Sequence, residues 1–225
     1  MTGISVPAGE AVHATAIVVG QTGLLFLGPS GSGKSTLLGG IAGFYPAIGG
    51  RVAWHDRDIT DAAPGDRPVA MLFQDGNLFP HLSVADNVGL GLRPDLKLNR
   101  DHAREVAAAL ARVGLRDMEA RKPAALSGGQ QSRAALARVL VQDRPLILLD
   151  EPFAALGPAL KREMLDLVSV LADEAGATLL MVSHDPEDAR RIAAQVILVV
   201  DGRAEPPRDT GSIFAGPPEA LRDYL

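Results

Sequence analysis

Five apolar runs of strand length punctuate the chain, at 24–27, 69–73, 146–149, 178–182 and 195–200. None alternates polar with apolar residues, so each predicts a strand buried on both faces. The first leads through a glycine-rich turn into a helix beginning near Lys34. The second ends at Gln74, the third at Asp150 and Glu151, and the fourth at Ser183 and His184. Asp201 and Gly202 close the fifth. Strands of this kind separated by helical patterns predict an α/β fold, with a parallel sheet covered by helices.

The middle of the chain breaks that rhythm. No strand pattern occurs between 92 and 142. The segment 101–113 places Ala103, Val106, Ala107, Leu110 and Val113 on one helical face, with Gly114 as a stop. A second helix, 127–141, carries Ala135, Leu136, Val139 and Leu140 on one side. We read 75–142 as a helical insertion in one domain spanning 1–225, whose sheet core is 1–74 and 143–225. The tail from 204 is short and proline-rich, too small for a regulatory domain, and no internal repeat is evident.

Composition excludes several classes. The 225 residues are 47% apolar and 22% charged, a globular balance. With 22 basic and 27 acidic side chains the net charge is −5, without the basic footprint of a dedicated nucleic-acid binder. No nucleic-acid partner is therefore expected. There is no cysteine, which removes disulfides, cysteine zinc sites and thiol nucleophiles. No run approaches the roughly 18 apolar residues that cross a bilayer. The N-terminus has neither the basic nor the apolar region of a signal peptide, so the chain is expected to stay soluble where it is made.

The chemistry sits at the strand ends. Gly28, Pro29, Ser30, Gly31, Ser32, Gly33, Lys34 and Ser35 fit G-x-x-x-x-G-K-S/T between a strand and a helix. Glycines let backbone N–H groups close on a phosphate chain, and the helix N-terminus adds partial positive charge. Lys34 brings a full charge to the β and γ phosphates, Ser35 can ligate Mg²⁺, and Thr36 completes the nucleotide-binding set. Asp150 is placed to hold Mg²⁺ through water, which leaves Glu151 free to orient or deprotonate an attacking water. Taken singly, the glycines could serve only a turn and the carboxylates only a helix cap. Together they indicate a Mg²⁺-dependent nucleotide hydrolase or transferase.

Leu126, Ser127, Gly128, Gly129 and Gln130 narrow that reading. Ser127 is a good N-cap, and the two glycines bare the N–H groups of the helix behind it, a second anion site. This pentapeptide, in order with the other motifs, resembles the ATP-binding subunits of ABC transporters over residues 24–202. The resemblance implies a P-loop NTPase core with an inserted helical subdomain, and ATP and Mg²⁺ as ligands. It implies Gln74 touching Mg²⁺ and the attacking water, so that the metal set is Ser35, Gln74 and Asp150. It implies Ser127, Gly128, Gly129 and Gln130 closing on the γ-phosphate held by a second copy. Glu151, His184 and Gln74 become the catalytic set, with His184 the switch histidine. His13, His55, His81 and His102 form no metal-ligand spacing.

The segments 67–99, 151–156 and 179–185 resemble more narrowly the ATP-binding subunits of bacterial thiamine importers. The stretch 89–99 favours thiamine over polyamine, iron or sulfate. The implied setting is the cytoplasmic face of the bacterial inner membrane, with integral membrane permease subunits and, indirectly, a periplasmic solute-binding protein as partners. Residues 74–92 would receive a cytoplasmic helix of the permease, with Phe79, Leu82 and Val84 as candidate exposed anchors or, equally, ordinary core residues.

Three places depart from the family. No aromatic residue precedes Phe26 to stack on adenine, and 1–21 lacks an alternating β pattern. Gly157 stands where the loop after Glu151 usually carries Asp. Gln131 and Ser132 replace a basic-polar pair, and Gly39 and Gly40 interrupt the helix after Lys34. Lys34, Asp150, Glu151 and His184 all remain, so hydrolysis is expected. The departures motivate an alternative, a nucleotide-gated interaction module with little turnover. A soluble ABC ATPase acting on ribosomes or DNA is disfavoured by the single phosphate loop and the acidic balance.

Overall fold

The structure, a computed structural model, describes residues 4–5, 12–14, 23–28, 31–74 and 76–222. Two short strands, β1 (Ile4–Ser5) and β2 (Val12–Ala14), precede β3 (Leu24–Leu27), whose four residues are all buried. Helix α1 (Lys34–Ala42) follows, then β4 (Ala47–Gly50), the hairpin β5 (Ala53–Trp54) and β6 (Arg57–Asp58), and β7 (Val69–Leu72). Only helices form among the described residues before the next strand: α2 (Val84–Gly89), α3 (Arg100–Arg112) and α4 (Gly128–Leu140). Strand and helix then alternate through β8 (Leu146–Asp150), α5 (Pro158–Glu174), β9 (Thr178–Val182), α6 (Pro186–Ile192) and β10 (Gln195–Val200). Two short strands, β11 (Arg203–Ala204) and β12 (Arg208–Asp209), and helices α7 (Thr210–Ala215) and α8 (Glu219–Arg222) complete the described chain.

The sheet runs β4-β2-β1-β11-β10-β3-β9-β8-β7, with β12 also paired to β10. From β10 to β7 every pairing is parallel. This is the parallel sheet the apolar runs predict, and short strands extend it on the other side, where β1 pairs antiparallel with β2 and β11, and β10 with β11 and β12. Residues 4–5 and 12–14 form strands despite the lack of an alternating pattern, and Ala204, Ile213 and Leu221 of the tail are buried.

Successive side chains of a strand point to opposite faces, so an all-apolar strand builds two cores. Leu24 and Phe26 face the layer that holds Leu37 and Leu38 of α1. Leu25 and Leu27 face the layer that holds Leu136 of α4 and Met164, Leu165 and Val168 of α5. Helix α3 contributes Val106, Ala109 and Leu110 to that second layer, whereas Ala103 and Ala107 are exposed, against the expected face. The buried arc of Ala109, Val113, Val106 and Leu110 has Leu110 at one edge, and Ala103 and Ala107 fall past that edge. Gly39, odd for a helix interior, faces the Tyr45 ring, and a Cβ there would fall 2.5 Å from Tyr45 Cε2.

Because β3, β9, β8 and β7 run parallel and side by side, their carboxyl ends share one edge of the sheet. The loops beginning at Gly28, Ser183, Glu151 and Phe73 gather there, where ligands bind in open α/β sheets.

Candidate nucleotide site

The loop after β3 passes β10 so closely that a Cβ on Gly28 would lie 2.1 Å from Val199 O. Gly33 then takes a left-handed φ of 91° as the N-cap of α1 and offers no side-chain cap. The first-turn N–H groups of the helix stay available for an anion. Lys34 is 5% exposed and folds back over the loop. Its Nζ donates to Gly28 O at 2.6 Å and to Ser32 Oγ at 3.4 Å. Burial lowers the Lys34 pKa, while the carboxylates of Glu151 and Asp150 act to raise it. The ammonium is thus held beside two negative groups, ready to exchange a carbonyl for a phosphate oxygen.

Asp150 ends β8, and its Oδ1 accepts a 2.8 Å hydrogen bond from Ser35 Oγ. Burial pushes the Asp150 pKa up, the Ser35 hydrogen bond pulls it down, and Glu151 beside it pushes up again. Glu151 occupies a left-handed backbone position, φ 42°, and its N–H donates to Val182 O at 3.1 Å. A non-glycine residue at such a φ stores strain and is typical of a functional turn. The bend turns the side chain toward the loop after β9, where His184 Nδ1 lies 2.9 Å from Glu151 Oε2. The Ser35 hydroxyl and the Asp150 carboxylate form a hard oxygen pair. Among the described residues no cluster of three or more His, Cys, Asp or Glu side chains could cage a metal. A small divalent cation that keeps waters and takes substrate phosphate oxygens fits such a set.

The structure therefore brings Gly28, Gly31, Ser32, Gly33, Lys34, Ser35, Asp150, Glu151 and His184 to one sheet edge. Thr36 follows in the first turn of α1, and Pro29 and Ser30 lie outside the described residues. Gln74 is an exposed turn residue after β7. It lines a cleft of about 630 Å³ with Gly76, Gly128, Pro152 and Ala155. None of the described phosphate-loop residues lines that cleft. Ser127 caps α4 through a capping box, Ser127 Oγ accepting from Gln130 N while Gln130 Oε1 accepts from Ser127 N. Gly129 is packed so tightly against α5 that a Cβ would meet Leu160 Cδ2 at 2.6 Å.

Of the three candidate anchors, one is core. Val84 is fully buried at the first position of α2, behind a Ser83–Asp86 capping box. Leu82 is half-buried, and Phe79 is exposed at 47%. Asn87 clamps the Phe79 backbone by accepting from Phe79 N and donating to Phe79 O. Phe44 and Tyr45 are also exposed, and the Phe44 ring packs 5.5 Å from that of Phe73. Two contacts escaped the sequence. Arg138 of α4 donates to Gly76 O and Asn77 O, and Lys161 of α5 pairs with Asp185 and Asp188. A lysine in the first turn of a helix, against the helix dipole, was the available signal for the second.

The family model described as ABC transporter matches residues 17–154, more than half of the chain. The chain belongs to the ABC transporter family. This ABC protein is 62% identical over 211 residues to the thiamine import ATP-binding protein ThiQ of Ruegeria sp. (strain TM1040), covering 94% of its own length and 91% of the relative's. It is 60% identical over 199 residues to the protein of that name from Cereibacter sphaeroides, covering 88% and 86%. Among solved structures, the ABC protein superposes on cbiO1 from Clostridium perfringens, part of the ABC transporter complex cbiONQ. The TM-score is 0.83 at 27% identity, over 98% of this chain and 91% of that one. It also superposes on a dimeric post-hydrolysis state of the ATP-binding cassette MJ0796 bound to ADP and Pi. There the TM-score is 0.77 at 28% identity, over 92% and 96% of the two chains.

Proposed function

We propose that this chain is the ATP-hydrolysing motor subunit of a thiamine importer, working as a pair of copies on the cytoplasmic face of the inner membrane. The carrying observation is the convergence of Lys34, the Ser35–Asp150 pair and the Glu151–His184 pair at one sheet edge. The relatives' names, at 62% and 60% identity over most of the chain, support the solute.

In this reading the N–H groups from Gly31 to Thr36 and the Lys34 ammonium bind the β and γ phosphates and fix the γ-phosphorus for in-line attack. Ser35, Asp150 and Gln74 would hold Mg²⁺, which supplies charge neutralisation on the β and γ phosphate oxygens. Glu151 orients a water and takes its proton as the water oxygen bonds to the γ-phosphorus. The bond from that phosphorus to the bridging oxygen breaks, and its electron pair leaves with ADP. His184 holds the Glu151 carboxylate through its 2.9 Å contact. Ser127, Gly128, Gly129 and Gln130 of the second copy present a helix N-terminus to the γ-phosphate and exclude water. Residues 75–142 form the helical subdomain that carries this signature within the single domain. Phe79 is an anchor for the membrane permease, and a periplasmic solute-binding protein acts only through that permease.

The alternative, a nucleotide-gated module with little turnover, has one observation in its favour. Gly157, the N-cap of α5, provides neither a side-chain cap nor a carboxylate. Labelled thiamine uptake in a strain lacking this chain separates the solute from the motor. Uptake restored by the wild-type chain but not by Lys34→Ala supports both. Normal thiamine uptake without the chain would remove the solute assignment.

A further inference from the structure

Lys161 lies in the first turn of α5, where the helix dipole disfavours a cation. Its Nζ is nevertheless 2.7 Å from Asp185 Oδ2 and 2.7 Å from Asp188 Oδ1. Asp188 is 5% exposed, and its second oxygen accepts from Ser183 Oγ. Ser183 Oγ in turn accepts from Asp185 N at 3.0 Å, and Ser183 N donates to Phe26 O at 3.1 Å. Asp185 Oδ1 accepts from Glu187 N and so caps α6. Both neighbours of His184 are therefore fastened, and the fastening converges on one ammonium. The His184 side chain itself is 51% exposed, so packing does little to fix the ring.

From this geometry we infer that Lys161 is a positioning residue that sets the His184–Glu151 contact by clamping both sides of the His184 turn onto α5. The inference rests on the proposed ATPase mechanism for its kinetic consequence, but not for its structural one. Burial lowers the Lys161 pKa, yet its hydrogen bonds to Asp185 and Asp188 outweigh burial and leave it raised. The same helix begins immediately after the loop that carries Glu151. Lys161 therefore joins the two loops that supply the members of the pair.

The test compares purified full-length wild type with Lys161→Met, Lys161→Arg and the double variant Lys161→Met/Asp188→Asn. The double variant removes the buried carboxylate that the single change strands. Steady-state ATP hydrolysis and the imidazole ¹⁵N spectrum of nucleotide-free, histidine-labelled protein are the readouts. Both Met variants should lose about 100-fold in kcat, the scale of a misplacement of about 1 Å, with KM for ATP unchanged. The His184 Nδ1 resonance should move in both, and Lys161→Arg should recover most of each effect. A folded double variant with wild-type kcat and an unmoved His184 signal would overturn the inference. So would a raised KM at wild-type kcat, the mark of a lost binding contact. If wild type releases no phosphate, the ATPase reading fails, and the His184 spectrum alone decides the role of Lys161.

Discussion

Ser35 Oγ donates a 2.8 Å hydrogen bond to Asp150 Oδ1, joining residues 115 positions apart. Ser35 is the second residue of α1, the helix after β3, and Asp150 ends β8, with β9 lying between those strands. The two halves of the proposed metal site are thus drawn together across a strand by a hydrogen bond of the chain itself.

Ser35→Ala removes one oxygen donor and leaves Lys34 and the loop N–H groups in place. ATP should still bind without Mg²⁺ at wild-type affinity, while half-maximal hydrolysis should need about tenfold more Mg²⁺, the scale of losing one hydrogen-bond-strength contact. Titrating Mg²⁺ at saturating ATP reads this. An unchanged Mg²⁺ requirement would dismiss Ser35 as a donor.

Asp185 ties stability to pH. Burial raises its pKa, but hydrogen bonds from Lys161 and Glu187 N and the charges of Lys161 and His184 hold it below the ordinary aspartate range. A carboxylate with a depressed folded-state pKa contributes stability above its unfolded value and loses it as pH falls through the folded one. Asp185→Asn should unfold more easily than wild type at neutral pH, by about 1 kcal/mol for a pair this exposed. The gap should close on acidification below the ordinary aspartate range. Urea unfolding across that range measures it, and a gap constant with pH would contradict the assignment.

The parallel half of the sheet was legible because strands covered on both faces carry polar residues only at their ends. Leu146 to Leu149 could be read without any neighbour. The strands β1, β4, β11 and β12 were not legible, being two to four residues held by pairing and not by a pattern of their own. Alanine has little preference for burial, so the packed face of α3 was decided by neighbours, and Ala103 and Ala107 fell outside it. Val84 stayed open between exposed anchor and core in the sequence, and the Ser83–Asp86 capping box, which starts a short helix there, decides for core. The phosphate loop, Asp150, Glu151 and His184 were legible as motifs at strand ends. Lys161 was not, since its partners lie 24 and 27 residues away in another turn.

Arg138 links the helix capped by Ser127 to the loop after Gln74. Its guanidinium donates to Gly76 O and Asn77 O, both at 2.7 Å, from a site where burial lowers its pKa. A lysine ammonium lacks that planar fork. Arg138→Lys should cost about 2 kcal/mol in urea unfolding, the worth of a charge-assisted hydrogen bond. Wild-type stability in this variant would show that the fork contributes nothing.

Gly157→Asp tests the family departure. The backbone there is extended, φ −64° and ψ 155°, and a Cβ meets nothing within 4 Å. The N-cap gain over glycine should be only a few tenths of a kcal/mol. Any larger change should therefore appear in the ATPase rate, through a carboxylate facing the second copy. A thermal shift without a rate change would separate α5 capping from coupling between the two sites.

The account turns on Glu151 taking a proton from water beside a triphosphate gripped by the loop after β3. Phosphate release from purified chain with Mg²⁺ and ATP, wild type against Glu151→Gln, measures that directly. The account predicts steady release by wild type, at least about 100-fold less from the variant, and undiminished ATP binding by both. Equal release from the two proteins, or none from wild type that binds ATP normally, would contradict it.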